Sequence, residues 1–545
     1  PSTQRFELLA ARVHRRGGTV ERSTGRATVG VAEPWYRLYY DLVAEVVELP
    51  PLAPGDVVEL RYVVEDVAER NAYADYFGDL ALVHGDRPTD RWRYVLITPA
   101  EREIVFRAPS DVAGLRHVRR VDDGRRVDLF EARDVAAAEV EPRMPGATAA
   151  ADYLHVSTYR SFAELGEWYR GLVRDQIVAD ARVKRTAREQ VAKLAGTRER
   201  VAAIYRWVVT ATRYVGLEFG IHGYKPYSAP VVAARGFGDC KDKASLLVAM
   251  LRAIGVEAQL ALVRTRSAGE LEPRPASLAV FNHAIVYVPE LDLWLDGTAE
   301  HHGTAELPFE DQGVLALRLT ADGAALGRTP TLPPEANRVR ARVRVALSPD
   351  GSARVTADAE TRGPRAARTR RLLAAGDLRR ERFEGALVET FPGARLESLE
   401  VSDLDRLERP VRYEYAAAVP ALARRVEDGL RLPVDTGLDL ADRYVRAPER
   451  TLALEVGPRR EEVRTMVVTP PPGHGVKRLP KDATIESRFG RLELSVAEDG
   501  GRVRVRRRFV LDATRVAAAD YAELAEFCRA VDAALAAEIE IGRLR

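Results

Sequence analysis

The stretch GFGDCKDKASLLVAMLRAIGV, residues 236–256, carries Cys240, one of two cysteines in the chain. A cysteine attacks carbonyl carbons when it is ionised and a base handles the protons. Ala244, Leu247, Val248, Leu251 and Ile254 recur with helical spacing, so the stretch predicts a helix. Asp239 suits its N-cap and Gly255 its C′ position. Cys240 then sits in the first turn, where unpaired N–H groups and the helix dipole stabilise a thiolate. Lys241 and Lys243 act in the same direction; Asp239 and Asp242 oppose them. The other cysteine, Cys528, shares an apolar stripe with Tyr521, Leu524, Val531 and Leu535 on the last predicted helix and reads as core.

A thiolate needs a base, and the base needs an orienting group. Among nine histidines, His283 opens the strand candidate NHAIVYVP, and LWLDG follows closely with Asp296. A hairpin centred near Pro289–Glu290 sets His283 directly opposite Asp296, with Cβ atoms roughly 4.5–5.5 Å apart. The imidazole would then donate from Nδ1 to the carboxylate, which fixes its tautomer. A slip of one residue puts the pair on opposite faces. Acyl transfer also needs an oxyanion hole. The Cys240 N–H is one donor; Tyr214, Tyr224 and Trp207 are candidates for the second. His301 and His302 with His222 do not read as a metal site, because neighbouring histidines diverge and no CxxC or HExxH accompanies them. No EF-hand loop is present, and the chemistry requires no cofactor.

These residues need a scaffold. Residues 1–150 alternate apolar and polar positions, with turns at Pro54–Gly55 and Asp123–Gly124, and predict an antiparallel β-sandwich. MPGAT near residue 146 reads as a linker. Residues 160–332 turn helical in SFAELGEWYRGLVRDQI and TRERVAAIYRWVVTATRYV, then give strands at VEAQLALVRT, NHAIVYVP and LWLDG. Residues 335–545 return to β patterning, with a hairpin turning at Pro349–Gly351, a helical stretch in RRLLAAGDLRRERFEGALVETF and a closing amphipathic helix. A division near 450 would make two subdomains of this part. The arginines near 364–383 read as a solvated helix face.

Composition narrows the function. A chain of 545 residues exceeds what one core supports, so several domains are expected. The 83 basic and 81 acidic residues nearly cancel, which argues against a nucleic-acid partner. No apolar run approaches the ~20 residues of a membrane helix. The chain starts at Pro1 without Met, so the expectation is that residue 1 is not the translation start. Two distant cysteines make no disulfide framework.

FGDCKDKASLLVAMLRAIGVEA, then FNHAIVYVP, then LWLDGTA, resembles the transglutaminase-like core of bacterial proteins, in the group with a DUF3857 domain ahead of it. The resemblance is strongest over about 165–330. LPPLAPGDVVELRYVVED and FGDLALVHGDRPTDRWRYVLITP resemble DUF3857 without its first strands; TMVVTPPPGHGVKRLP and the closing helix resemble the group's β-rich tail. It implies an α+β multidomain chain with a papain-like central core. It implies Cys240, His283 and Asp296 as the catalytic set, and Gly297 departs from the usual DPTA. It implies acyl transfer at amide bonds of a protein or peptide through a thioester. Hydrolysis is favoured over cross-linking to an amine, because no feature marks an amine site and water is the default acceptor. The alternatives are a transglutaminase proper, or a binding scaffold that keeps the three residues. The group is often exported, which implies a periplasmic or extracellular place.

Overall fold

A computed structural model describes residues 4–66, 73, 76–110, 112–374 and 376–544. The N-terminal part is mostly β, in small sheets rather than one broad sandwich. Strand Gln4–His14 pairs with Val57–Asp66, and Gly25–Glu33 pairs with Leu38–Glu48. The Pro54–Gly55 turn forms, but the strands on either side of it do not pair with each other. Residues 49–56, with three prolines, are too long for the two- to five-residue loop a tight hairpin uses. The Asp123–Gly124 turn does join paired strands, Arg116–Asp122 and Arg125–Val135, and both turn residues have positive φ.

The segment expected as a linker is a packed contact. A Cβ on Gly146 would lie 2.2 Å from the Gly269 nitrogen. Thr148 Oγ1 donates to the Glu270 carbonyl at 2.7 Å. Just upstream, Arg143 donates to the carbonyls of Glu455 and Val456, both at 2.9 Å. Glycine here serves close approach rather than flexibility.

In the centre, helices Phe162–Val173, Ala181–Val191, Thr197–Ala211, Ala229–Arg235 and Cys240–Ala253 pack with a five-stranded antiparallel sheet. Its order is Leu293–Leu295, His283–Val288, Gln259–Val263, Leu315–Thr320, Gly323–Arg328. Helix Cys240–Ala253 is buried all round rather than on one face, including Lys241, Asp242, Lys243 and Ser245. Three helices and the sheet enclose it. The N-terminal part reaches this core directly, because Leu38–Glu48 runs parallel to and pairs with Gly216–Glu218.

The C-terminal part is built on an eight-stranded sheet that spans both sides of residue 450. Its only parallel pair joins Arg338–Leu347 to Arg460–Thr469. The expected hairpin at Pro349–Gly351 forms. The last helix, Tyr521–Ala536, buries Cys528, whose thiol pKa burial pushes up to about 12. The chain then ends in strand Glu538–Arg543, which the sequence reading had begun to absorb into the helix; its Glu-Ile-Glu-Ile alternation is the strand signal. The arginine-rich stretch breaks into helices Pro364–Leu373 and Arg379–Thr390. It is not simply a solvated face: Arg370 is 1% exposed.

Candidate functional site

Cys240 begins its helix, as expected, and stays partly exposed while the turns behind it are buried. The helix start is over-determined. Asp239 accepts from the Asp242 N–H at 3.2 Å, and Asp242 accepts from the Asp239 N–H at 3.4 Å. Asp242 also accepts from Arg235 and, at 2.7 Å, from the Tyr227 N–H. Burial and then the Asp239 charge push Asp242 up to about 6, against these donors. Lys241 pairs with Asp239 and lies 3.7 Å from Glu218. Lys243 is buried, which lowers its pKa to about 8, and it donates to the Thr212 carbonyl at 2.6 Å.

His283 opens its strand, paired to Val263. Its Nε2 lies 3.3 Å from Asp296 Oδ1. The expected Nδ1 contact is thus corrected: the carboxylate takes Nε2, which leaves Nδ1 for Cys240, whose side chain hydrogen-bonds the ring. The register is corrected too. Val286 pairs with Leu295 and Val288 with Leu293, because a four-residue connection, Pro289–Asp292 with Asp292 at φ 45°, makes the turn. This continues to Ile285 opposite Asp296, so His283 meets the carboxylate diagonally beyond the end of the ladder. A two-residue offset keeps both side chains on one face, and the contact survives.

Burial lowers the His283 pKa, but the Asp296 charge, the bonds to Asp296 and Cys240 and the Cys240 charge raise it well above 6.5. Burial raises Asp296, and the His283 charge, the His283 bond and the Thr298 donors outweigh it, holding the carboxyl at about 2. These interactions favour an imidazolium beside a carboxylate. Thr298 donates to Asp296 through its N–H at 2.8 Å and its hydroxyl at 2.8 and 2.9 Å. Tyr205 donates to the Asp296 carbonyl at 3.1 Å. A Cβ on Gly297 would lie 3.3 Å from Lys243 Cβ, so this position packs closely against the Cys240 helix.

Of the three oxyanion candidates, Tyr214 is the one whose strand pairing and electrostatics place it near Cys240. Its strand partner is Gly238, two residues before Cys240. Its pKa is raised by burial and then by the Cys240 charge, and its hydroxyl has no hydrogen-bond partner among the described residues. Tyr224 sets its ring edge-on to Tyr73, and Trp207 packs against the helical core. Sequence reasoning alone does not find Tyr205, Thr298 and Asp311, which gather at Asp296. An Asp-x-Thr turn is the local signal for Thr298; the others stand far away in the sequence. His222 stacks on Tyr227, with centroids 3.8 Å apart, away from His301 and His302. Among the described residues, one group of three side chains has metal-ligating atoms gathered within 4.8 Å: His283, Asp296 and Asp311.

Residues 184–312 match the model of the transglutaminase-like superfamily. Residues 1–139 match a domain of unknown function, DUF3857, and residues 434–541 match another, DUF3858. A crystal structure from Parabacteroides distasonis ATCC 8503, titled "a putative protease", aligns over 100% of this chain and 90% of its own at 15% identity and a TM-score of 0.69. One from Cytophaga hutchinsonii, titled "a putative cysteine protease", covers 47% of this chain and 88% of its own at 13% identity, with a TM-score of 0.21. No curated protein matches the chain. The chain is therefore a multidomain protein built around a transglutaminase-like superfamily core, with a DUF3857 domain before that core and a DUF3858 domain after it.

Proposed function

We propose that this protein hydrolyses amide bonds in a protein or peptide through a thioester on Cys240. The observation that carries the reading is the His283 ring held between the Cys240 thiol and the Asp296 carboxylate. The thiolate sulfur attacks the carbonyl carbon and a C–S bond forms. The oxyanion is met by the Cys240 N–H and by the Tyr214 hydroxyl. The C–N bond then breaks as the His283 imidazolium gives its proton to the leaving amine. Water attacks the thioester, His283 takes the water's proton, the C–S bond breaks, and an acid leaves. Asp296 keeps the ring oriented and stabilises its charged form.

Water needs no dedicated site, which favours hydrolysis over transfer to a lysine. The test is product analysis by mass spectrometry on a glutaminyl peptide, with and without an added primary amine. The expected product is the glutamyl or cleaved peptide in both cases, with ammonia or the new amine terminus released. Amide exchange to the added amine as the main product would assign cross-linking instead. Tyr214→Phe removes one oxyanion donor, and the expected loss of kcat is about 100-fold with KM little changed. A kcat within twofold of native would remove Tyr214 from the oxyanion hole.

A further inference from the structure

Asp311 is 1% exposed and sits in the short turn Phe309–Asp311, outside the three residues of the proposed mechanism. Its backbone is fixed: the N–H donates to the Pro308 carbonyl at 3.0 Å, and its carbonyl accepts from Thr329 Oγ1 at 2.5 Å. Its carboxyl lies within 4.8 Å of the ligating atoms of both Asp296 and His283. Among the described residues no donor reaches its Oδ2. A protonated carboxyl oxygen needs no donor, so Oδ2 is free to carry a proton.

Two buried carboxyl groups this close resist ionising together, and the neighbouring His283 offsets that resistance only in part. The charged and titratable groups around Asp311 are Asp296, His283, Glu310 and, on helix Thr197–Ala211, Tyr205. Burial, then the Asp296 charge and the bond to Asp296, push Asp311 up to about 8, with His283 opposing. His283 and Thr298 favour the ionised form of Asp296, so a proton shared by the pair sits more readily on Asp311.

We propose that Asp311 is a positioning residue: kept neutral, it donates its carboxyl proton to Asp296 and holds that carboxylate turned toward His283. Thr298 and His283 fill part of the acceptor capacity of Asp296, and Asp311 would supply a further donor. When Asp311 ionises in alkali, the donor is lost and a like charge appears beside Asp296. The folded carboxyl is raised above its unfolded value. The contribution of Asp311 to stability is therefore complete at acid pH and declines from about pH 4 to about pH 8.

This inference rests on the reading of Cys240, His283 and Asp296 as the reactive set. The test is the second-order rate constant of iodoacetamide at Cys240 in the full chain, from pH 5 to 9, followed by peptide mass spectrometry. Asp311→Ala should slow alkylation at neutral pH by about tenfold or more, the usual scale for a supporting hydrogen bond to a functional side chain. Asp311→Asn keeps a neutral donor, so it should stay within about threefold of native, exceed native above pH 8 and unfold less readily there. A native-like rate in Asp311→Ala would overturn the inference, as would a folded Asp311→Asn as slow as the alanine variant. Slowing of the native protein by EDTA, reversed by zinc, would also overturn it, because the carboxylates would then share a cation. His283→Ala serves as the control: if it does not slow alkylation, the reactive set fails and the Asp311 inference falls with it.

Discussion

Arg370→Ala will destabilise the protein by about 3–5 kcal/mol, the cost of breaking one side of a buried ion pair. The guanidinium donates to Glu306 at 2.7 Å and to the carbonyls of His301, Leu407 and Arg409 at 2.7–2.8 Å. His301 and Glu306 belong to the loop between Asp296 and Asp311, so an arginine of the C-terminal part braces the site loop. Glu408 reinforces this, accepting from the Thr304 N–H at 2.9 Å. Burial raises the Glu306 carboxyl, and Arg370 is the main group that lowers it again. Without the arginine, Glu306 takes a proton at higher pH. Its folded pKa is then further above the unfolded value, so the variant loses stability as pH rises. Urea unfolding at pH 5 and pH 8 should show the larger deficit at pH 8. Lysine cannot reproduce a four-acceptor fork, and Arg370→Lys should recover less than half of the loss. A deficit below about 1 kcal/mol at both pH values would remove the bracing role.

His283→Ala will slow alkylation of Cys240 at pH 6 by about tenfold or more. An ordinary thiol is only ~0.3% ionised at that pH. A neighbouring imidazolium keeps the thiolate populated, and lower intrinsic nucleophilicity returns only part of the gain. Burial disfavours the charged ring, but the Asp296 charge and the bond to it outweigh burial and favour the cation. The contribution of the His283–Asp296 pair to stability follows from the same shifts. The raised histidine contributes fully below about pH 6.5 and loses its contribution as pH rises through the higher folded value. The lowered aspartate contributes above about pH 4, and its contribution fades as pH falls toward 2.

Much of this site was legible from local signals. Asp239, Cys240, the apolar spacing and Gly255 specify a capped helix within one stretch, and the helix begins where those residues say. His283 and Asp296 were legible as neighbours because two short strands must pair across a tight turn. The register was not, because the extra residues of the Pro289–Asp292 connection set it, and only the even offset preserved the contact. Asp311 and Tyr205 were beyond reach, since tertiary folding alone brings them to Asp296. Arg370 was misread for a related reason. Its neighbours look like a solvated arginine face, and only the loop from the core, docking on that helix, buries one arginine among them. MPGAT was read by composition as flexible, whereas Gly146 is there to let two loops touch.

The central claim is that Cys240 is an activated nucleophile served by His283. Its most direct test is the iodoacetamide rate constant at Cys240 from pH 5 to 9 in the native protein and His283→Ala, with Cys528 in the same digest as the buried reference. Native Cys240 should react rapidly and almost independently of pH between 6 and 8. His283→Ala should be slow at pH 6 and rise about tenfold per pH unit toward 8.5, as an ordinary thiol does. Superimposable profiles for the two proteins would contradict the account.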